Sequence, residues 1–149
     1  MSKQGVTTAI AHGAELPGYG SLEEARDGLW RLRASCIQAL VAALTESVLD
    51  FSLESLNALE QWFFAGGQPS ALPSGMPRST AIAFYFGEVL VRHRSFTWVV
   101  EPYFMSPGRY EIGVRRGLTT IMLTRGIALS LRGNKSMRSL SRMVAKYAA

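Results

Sequence analysis

The sequence predicts an α+β fold: N-terminal helices and a buried central helix packed on a small, mostly antiparallel sheet, with a C-terminal helix. Three observations predict it. Between residues 21 and 64, apolar side chains recur at steps of three and four, the helical period. From residue 96 onward, short β-branched and aromatic runs are cut by Pro and Gly, as strands are. Helix-like and strand-like segments are also segregated along the chain. That order argues against a doubly wound parallel sheet, in which the two alternate.

The first helix starts after Ser21. Ser21 and Glu24 have capping-box spacing, in which each side chain satisfies the other's unpaired backbone N–H. Leu22, Ala25, Leu29, Leu32, Cys36, Leu40, Leu44 and Val48 then form one stripe. Arg26, Arg31 and Arg33 fall away from its centre, on the side open to solvent. Ser52 caps a second helix with a stripe of Leu53, Leu56, Leu59 and Phe63, and Gly66-Gly67 supplies a stop. The joint at Asp50 and Phe51 is short enough for a helical hairpin or a kinked pair. Residues 66–79 read as a loop, punctuated by Gly66, Gly67, Pro69, Pro73, Gly75 and Pro77, after which Ser79 or Thr80 caps the next element.

Thr80 to Arg94 is apolar for most of its length and lacks strict alternation, which predicts a buried helix; a strand over Ile82–Phe86 is the rival. Gly87 in this helix lets a neighbouring element approach closely. Phe96–Val100, ended by Pro102, and Tyr110–Val114 are strand candidates joined through the turn Ser106-Pro107-Gly108. Thr119–Thr124 and Ile127–Leu131 read either as two more strands or as one short helix within 118–129. After Gly133-Asn134, Ser136 caps a last helix with Met137, Leu140, Val144 and Tyr147 on one face.

The chain has 149 residues, 48% hydrophobic and 18% charged. That suits one globular domain over residues 21–149 behind a flexible tail of residues 1–20, and excludes a disordered or low-complexity chain. No apolar run approaches the roughly 20 residues of a membrane span. The first 20 residues lack the apolar core of a secretory signal, and the single cysteine allows no internal disulfide, so a cytoplasmic location is expected.

Charge is unevenly placed. The net charge is +5, with −4 in residues 1–75 and +9 in residues 76–149. A basic half suits an anionic partner, whether nucleic acid, an acidic protein surface or a membrane surface; it also suits a basic layer packed beside an acidic one. The cations include Arg115, Arg116, Arg125, Arg132, Lys135, Arg138, Arg142 and Lys146, with Trp98 and other aromatics nearby in sequence.

Catalytic and metal signals are sparse. The two histidines, His12 and His93, sit in no HExxH motif or ligand cluster, so no metal or other cofactor is expected. Cys36 lies in an apolar pattern and reads as a small buried hydrophobe. Arg132-Gly133-Asn134-Lys135-Ser136 has the look of an anion-holding helix start, but Ala128 stands where a phosphate loop needs its first glycine. Glu88 is the notable carboxylate. Set among Phe86, Gly87, Val89 and Leu90, it must pair, find donors or shift its pKa. Arg92, four residues on, has the spacing of a helical ion pair.

Two stretches, Asp50-Phe51-Ser52-Leu53-Glu54-Ser55-Leu56 and Phe84-Tyr85-Phe86-Gly87-Glu88-Val89-Leu90-Val91-Arg92, followed by Trp98, resemble a group of small bacterial proteins. These share an S-x-x-S-L helix, a Y-hydrophobic-G-E-V helix and a tryptophan strand. Some are similar to immunity proteins of toxin systems, and many have no assigned function. The likeness spans roughly residues 45–140. It implies a cytoplasmic bacterial protein that binds a cognate toxin, here one with an acidic surface. Many immunity proteins are acidic because their toxins bind nucleic acid, so the basic half speaks against a nuclease target.

The expected function is therefore a non-enzymatic protein-binding module, with nucleic-acid association through the basic C-terminal half as the alternative. An enzyme using Glu88 as acid or base stands third, because no second catalytic partner can be named. The candidate binding residues are Glu88, Arg92, Trp98, Arg115, Arg116, Arg132, Lys135 and Arg138.

Overall fold

The computed structural model describes residues 17–44, 49–64 and 78–123. Helices α1 (Leu22–Ala43), α2 (Ser55–Phe64) and α3 (Arg78–Arg94) precede strands β1 (Thr97–Pro102), β2 (Tyr110–Arg116) and β3 (Thr119–Met122). The strands form an antiparallel sheet of order β1-β2-β3, so the architecture is α+β as expected. Several expectations lie outside the described residues: Val48, the Gly66-Gly67 stop, the strand Ile127–Leu131 and the helix after Ser136.

Ser21 caps α1, but the expected capping box is one-sided: the Glu24 carboxylate meets the Ser21 hydroxyl instead of its backbone N–H. The Ser21 Oγ accepts the Glu24 N–H at 3.1 Å and donates to Glu24 Oε1 at 3.4 Å. Ala25, Leu29, Cys36, Ile37 and Leu40 are the buried stripe, and Leu44 closes the helix with its N–H on Leu40 O. Ser52 caps α2 by accepting the Ser55 N–H at 3.2 Å. Helix α3 begins at Arg78, so Ser79 and Thr80 lie in its first turn rather than capping it.

Helix α3 is the core of the molecule. Every residue from Ala81 to Phe86 is fully buried, as are Val89 and Leu90, because α1, α2 and the sheet all pack on it. A helix apolar all round is one enclosed on all sides. The strand alternative for Ile82–Phe86 is thereby corrected. Burying Phe84 and Phe86 alone contributes about 2–3 kcal/mol each.

The joint at Phe51 is a clasp. Phe51 has a left-handed φ of +64°, uncommon for a bulky residue. Its N–H donates to Tyr85 Oη at 2.8 Å, His93 Nε2 donates to its carbonyl at 2.8 Å, and its ring stacks on that of Tyr85 at 4.8 Å. The Ser55 hydroxyl donates to Ser52 O at 2.6 Å, so Tyr85 Oη is the donor in its 2.7 Å bond to Ser55 Oγ. Tyr85 thus accepts from one side of the joint and donates to the other. Tyr85→Phe leaves the half-buried Phe51 N–H without its acceptor. It is expected to lower stability by about 1–2 kcal/mol, seen as a lower urea midpoint at unchanged slope.

The β1–β2 register pairs Trp98 with Val114 and Val100 with Ile112, and β2–β3 pairs Val114 with Ile121. These residues form the face under α1 and α3, while Thr97, Val99, Glu101 and Arg115 lie on the other. The hairpin Gly117-Leu118 has positive φ only at its first residue, the pattern of a type II′ turn with glycine there. Thr119–Met122 is a strand, which corrects the helical alternative for that segment; β3 ends at Met122, two residues short of the expected Thr124. Among the described residues, no helix is long and apolar enough to cross a membrane.

Candidate functional site

Glu88 is the only carboxylate in the apolar run of α3, and three elements converge on it. Arg92 Nε donates to its Oε2 at 2.9 Å, the predicted i,i+4 pair. Arg33, from α1, reaches its Oε1 at 3.3 Å, and Trp98 Nε1, from β1, donates to the same oxygen at 3.2 Å. Glu88 and Arg33 are only 14% and 15% exposed, whereas Arg92 is 48% exposed. The helical pair expected on a wet edge is thus one arm of a half-buried junction between α1, α3 and β1.

The expectation that Arg33 faces solvent is corrected. Its guanidinium lies 3.8 Å from the centroid of Trp30 and 5.4 Å from that of Trp98. Aromatic faces and the Glu88 carboxylate replace water around a delocalised cation that tolerates desolvation better than an ammonium would. Arg33 Nε is buried without an acceptor among the described residues, so Glu88 carries much of the compensation for that buried charge.

Gly87 makes the junction possible, as its sequence position suggests. A Cβ there would sit 2.9 Å from Trp98 Cη2 and closer still to Leu123 Cδ1, so any larger residue would push the indole off Glu88. Trp98 is half-buried. Its ring is tilted against Phe84 at 6.4 Å and edge-on to Trp30 at 6.3 Å. Trp30 is the outermost member, with 49% of its surface exposed.

Two grooves flank this aromatic and guanidinium wall. One, of about 530 Å³, runs along β1 and is lined by Arg26, Asp27 and Trp30 of α1 with Trp98, Val100 and Glu101 of β1, Arg115 of β2 lying at its side. The other, of about 520 Å³, is more apolar. It is lined by Ile37 and Val41 of α1 with Phe51, and Arg33, Glu88 and Arg92 form its polar edge. The Arg92 guanidinium covers the Phe51 ring at 3.9 Å.

Of the candidate residues, Glu88, Arg92 and Trp98 come together. Arg115 shares the first groove with Trp98 but is tied to Glu101 by an ion pair and to Thr120 Oγ1 at 2.9 Å. Arg116 stands apart, donating to Arg94 O at 3.0 Å at the end of α3 and covering the Phe96 ring at 4.8 Å. Arg132, Lys135 and Arg138 lie outside the described residues. Sequence reasoning missed Trp30 and Arg33. Their i,i+3 spacing, which sets two side chains on one helix face, was the available signal.

Cys36 is fully buried, and burial pushes its thiol up to about 12, the behaviour of a packed hydrophobe rather than a nucleophile. Among the described residues, no three of His, Cys, Asp and Glu converge where a metal ion could be held.

The chain belongs to the family described as uncharacterised protein YwmA, whose model matches residues 20–148. No curated protein and no solved structure matches it. The family agrees with the coarser part of the resemblance, small proteins without an assigned function.

Proposed function

We propose that this chain is a non-catalytic cytoplasmic module that binds a cognate protein through the Trp30 face, and that this partner is a toxin it neutralises, as an immunity protein does. The observation that carries the reading is the half-exposed Trp30 backed by the Arg33, Glu88 and Trp98 junction. Binding energy concentrates on Trp, Tyr and Arg anchors, because they offer large contact area with few rotamers to freeze. Arg33 and Arg92 against Glu88 leave this face one positive charge in excess, which favours encounter with an acidic surface.

The test is capture of partners from source-cell lysate by the tagged chain and by Trp30→Ala, with and without nuclease. The expected result is one protein retained by the parent chain in both treatments and lost from Trp30→Ala, a truncation costing about 2 kcal/mol or more at an anchor. That protein, expressed alone, should arrest growth and be silenced by co-expression of the parent chain but not of the variant. A broad catch that disappears with nuclease would establish the nucleic-acid alternative instead.

A further inference from the structure

Among the described residues, strand β1 is a sheet edge whose outer backbone groups have no partner. The Tyr103 N–H donates to Arg109 O at 2.9 Å, which fixes the alternation of the β1–β2 ladder. In the register Thr97↔Arg115, Val99↔Gly113 and Glu101↔Glu111, it is Thr97, Val99 and Glu101 that bond across to β2. Trp98 and Val100 therefore turn both N–H and C=O outward, and Pro102 turns its C=O outward. The β2–β3 pairing has the complementary parity: the two-residue turn at Gly117-Leu118 makes Arg116↔Thr119 and Val114↔Ile121 the bonded pairs. Pro102 fits the same account, since its missing N–H falls on the edge, where no ladder bond is lost.

This edge is the floor of the 530 Å³ groove. Val99 and Glu101 line it from one sheet face and Trp98 and Val100 from the other, so the groove follows the strand backbone itself. Its wall is the exposed side of α1, with Trp30, Arg26 and Asp27. Glu101 and Arg115 neutralise each other, while Arg26 and Asp27 have no ion-pair partner among the described residues. A row of alternating donors and acceptors beside an aromatic wall is the layout of strand addition, where main-chain bonds hold an extended segment and alternate side-chain subsites select it.

We infer that the outer edge of β1 takes up an extended peptide segment of a protein partner as a fourth strand. This rests on the protein-binding reading above and names the part of the partner that is held. Residues opposite one another on adjacent strands share a face. Peptide side chains opposite Trp98 and Val100 therefore lie against Trp30 and are apolar or aromatic, and the residue between them, opposite Val99, is polar. Arg26 and Asp27 accept charges of either sign at the rim.

The probe is a displayed library of random peptides of about a dozen residues, selected on the whole chain. Selected peptides should carry an apolar-polar-apolar triplet. Their binding should slow hydrogen exchange at the Trp98 and Val100 amides, which meet no acceptor among the described residues, and leave the protected Val99 and Glu101 amides unchanged. Val100→Pro removes an outward N–H and no ladder bond. It should keep the native amide spectrum yet bind the peptide about tenfold more weakly. The exchange measurement uses the parent chain and decides the matter even if that variant fails to fold.

Failure to select any peptide, or peptides that leave the Trp98 and Val100 amides open, would overturn the inference. So would protection of these amides that rises with protein concentration alone, which would assign the edge to a second copy of the chain. Capture of a partner that is lost with Trp30→Ala but kept by Val100→Pro would overturn the edge inference and leave the binding module standing.

Discussion

Glu88→Ala is expected to destabilise the fold by about 3 kcal/mol, while Arg92→Ala costs about 0.5 kcal/mol or less. The two substitutions break the same 2.9 Å ion pair, but they leave different things behind. Loss of Arg92 removes a half-exposed, solvent-screened partner, and Glu88 still accepts from Arg33 and Trp98 Nε1. Loss of Glu88 strands the Arg33 guanidinium, 15% exposed and already lacking an acceptor at Nε, and leaves the indole N–H unmet. Glu88→Gln should recover part of the loss, because its carboxamide oxygen still accepts one of these bonds.

Arg33→Met alone removes the buried cation and keeps an apolar stem beside Trp30. Combined with Glu88→Leu, it should be less damaging than Glu88→Ala by about 1 kcal/mol or more, since no buried charge is left uncompensated. Urea unfolding monitored by the tryptophans measures all of these. Equal losses for Glu88→Ala and Arg92→Ala would mean that the surface pair, not the junction with α1, is what Glu88 supplies.

Local chemistry in this chain was legible before the fold was. The Ser21 cap, the Ser52 cap, the helical character of the segment around Phe84, the need for a small residue at Gly87 and the Glu88–Arg92 spacing all depend on residues within a turn or two of one another. The junction at Glu88 does not. Arg33 and Glu88 are 55 residues apart, and their meeting depends on where α1 crosses α3. The periodicity of α1 put Arg33 off the centre of the apolar stripe, and so it is; but a long side chain at the stripe's edge can fold over the indole of the preceding turn rather than point into water. The roles of Arg115 and Arg116 escaped for a related reason. Basic residues that look like a free patch in one dimension are committed once register places Glu101 beside Arg115 and the end of α3 beside Arg116. Which residues of β1 turn their backbone groups outward follows from pairing parity, which no single-strand pattern contains.

Above pH 9 the protein is expected to lose stability steeply, and Cys36 is the first cause. In the unfolded chain its thiol ionises near the ordinary 9.0, whereas burial in the folded chain pushes it up to about 12. A native pKa raised in this way means that the folded state keeps its proton while the unfolded state releases one. The contribution is fully present below about pH 9 and is lost as pH rises towards 12, with a limiting slope of about 1.4 kcal/mol per pH unit. Tyr85 acts in the same direction from its ordinary 10.0 upward, since burial raises it despite its bonds to Ser55 and Phe51. Half-buried Tyr19, also raised by burial, follows. The window between pH 9 and 10 therefore belongs mainly to the thiol. Cys36→Ala costs about 1–2 kcal/mol at neutral pH through the volume it vacates, but from pH 8 to 10 it should lose about 1 kcal/mol less stability than the parent chain. Urea midpoints at intervals across that range make the comparison. Parallel declines in the two proteins would show that the thiol is not the titrating group and that some other alkaline event opens the fold first.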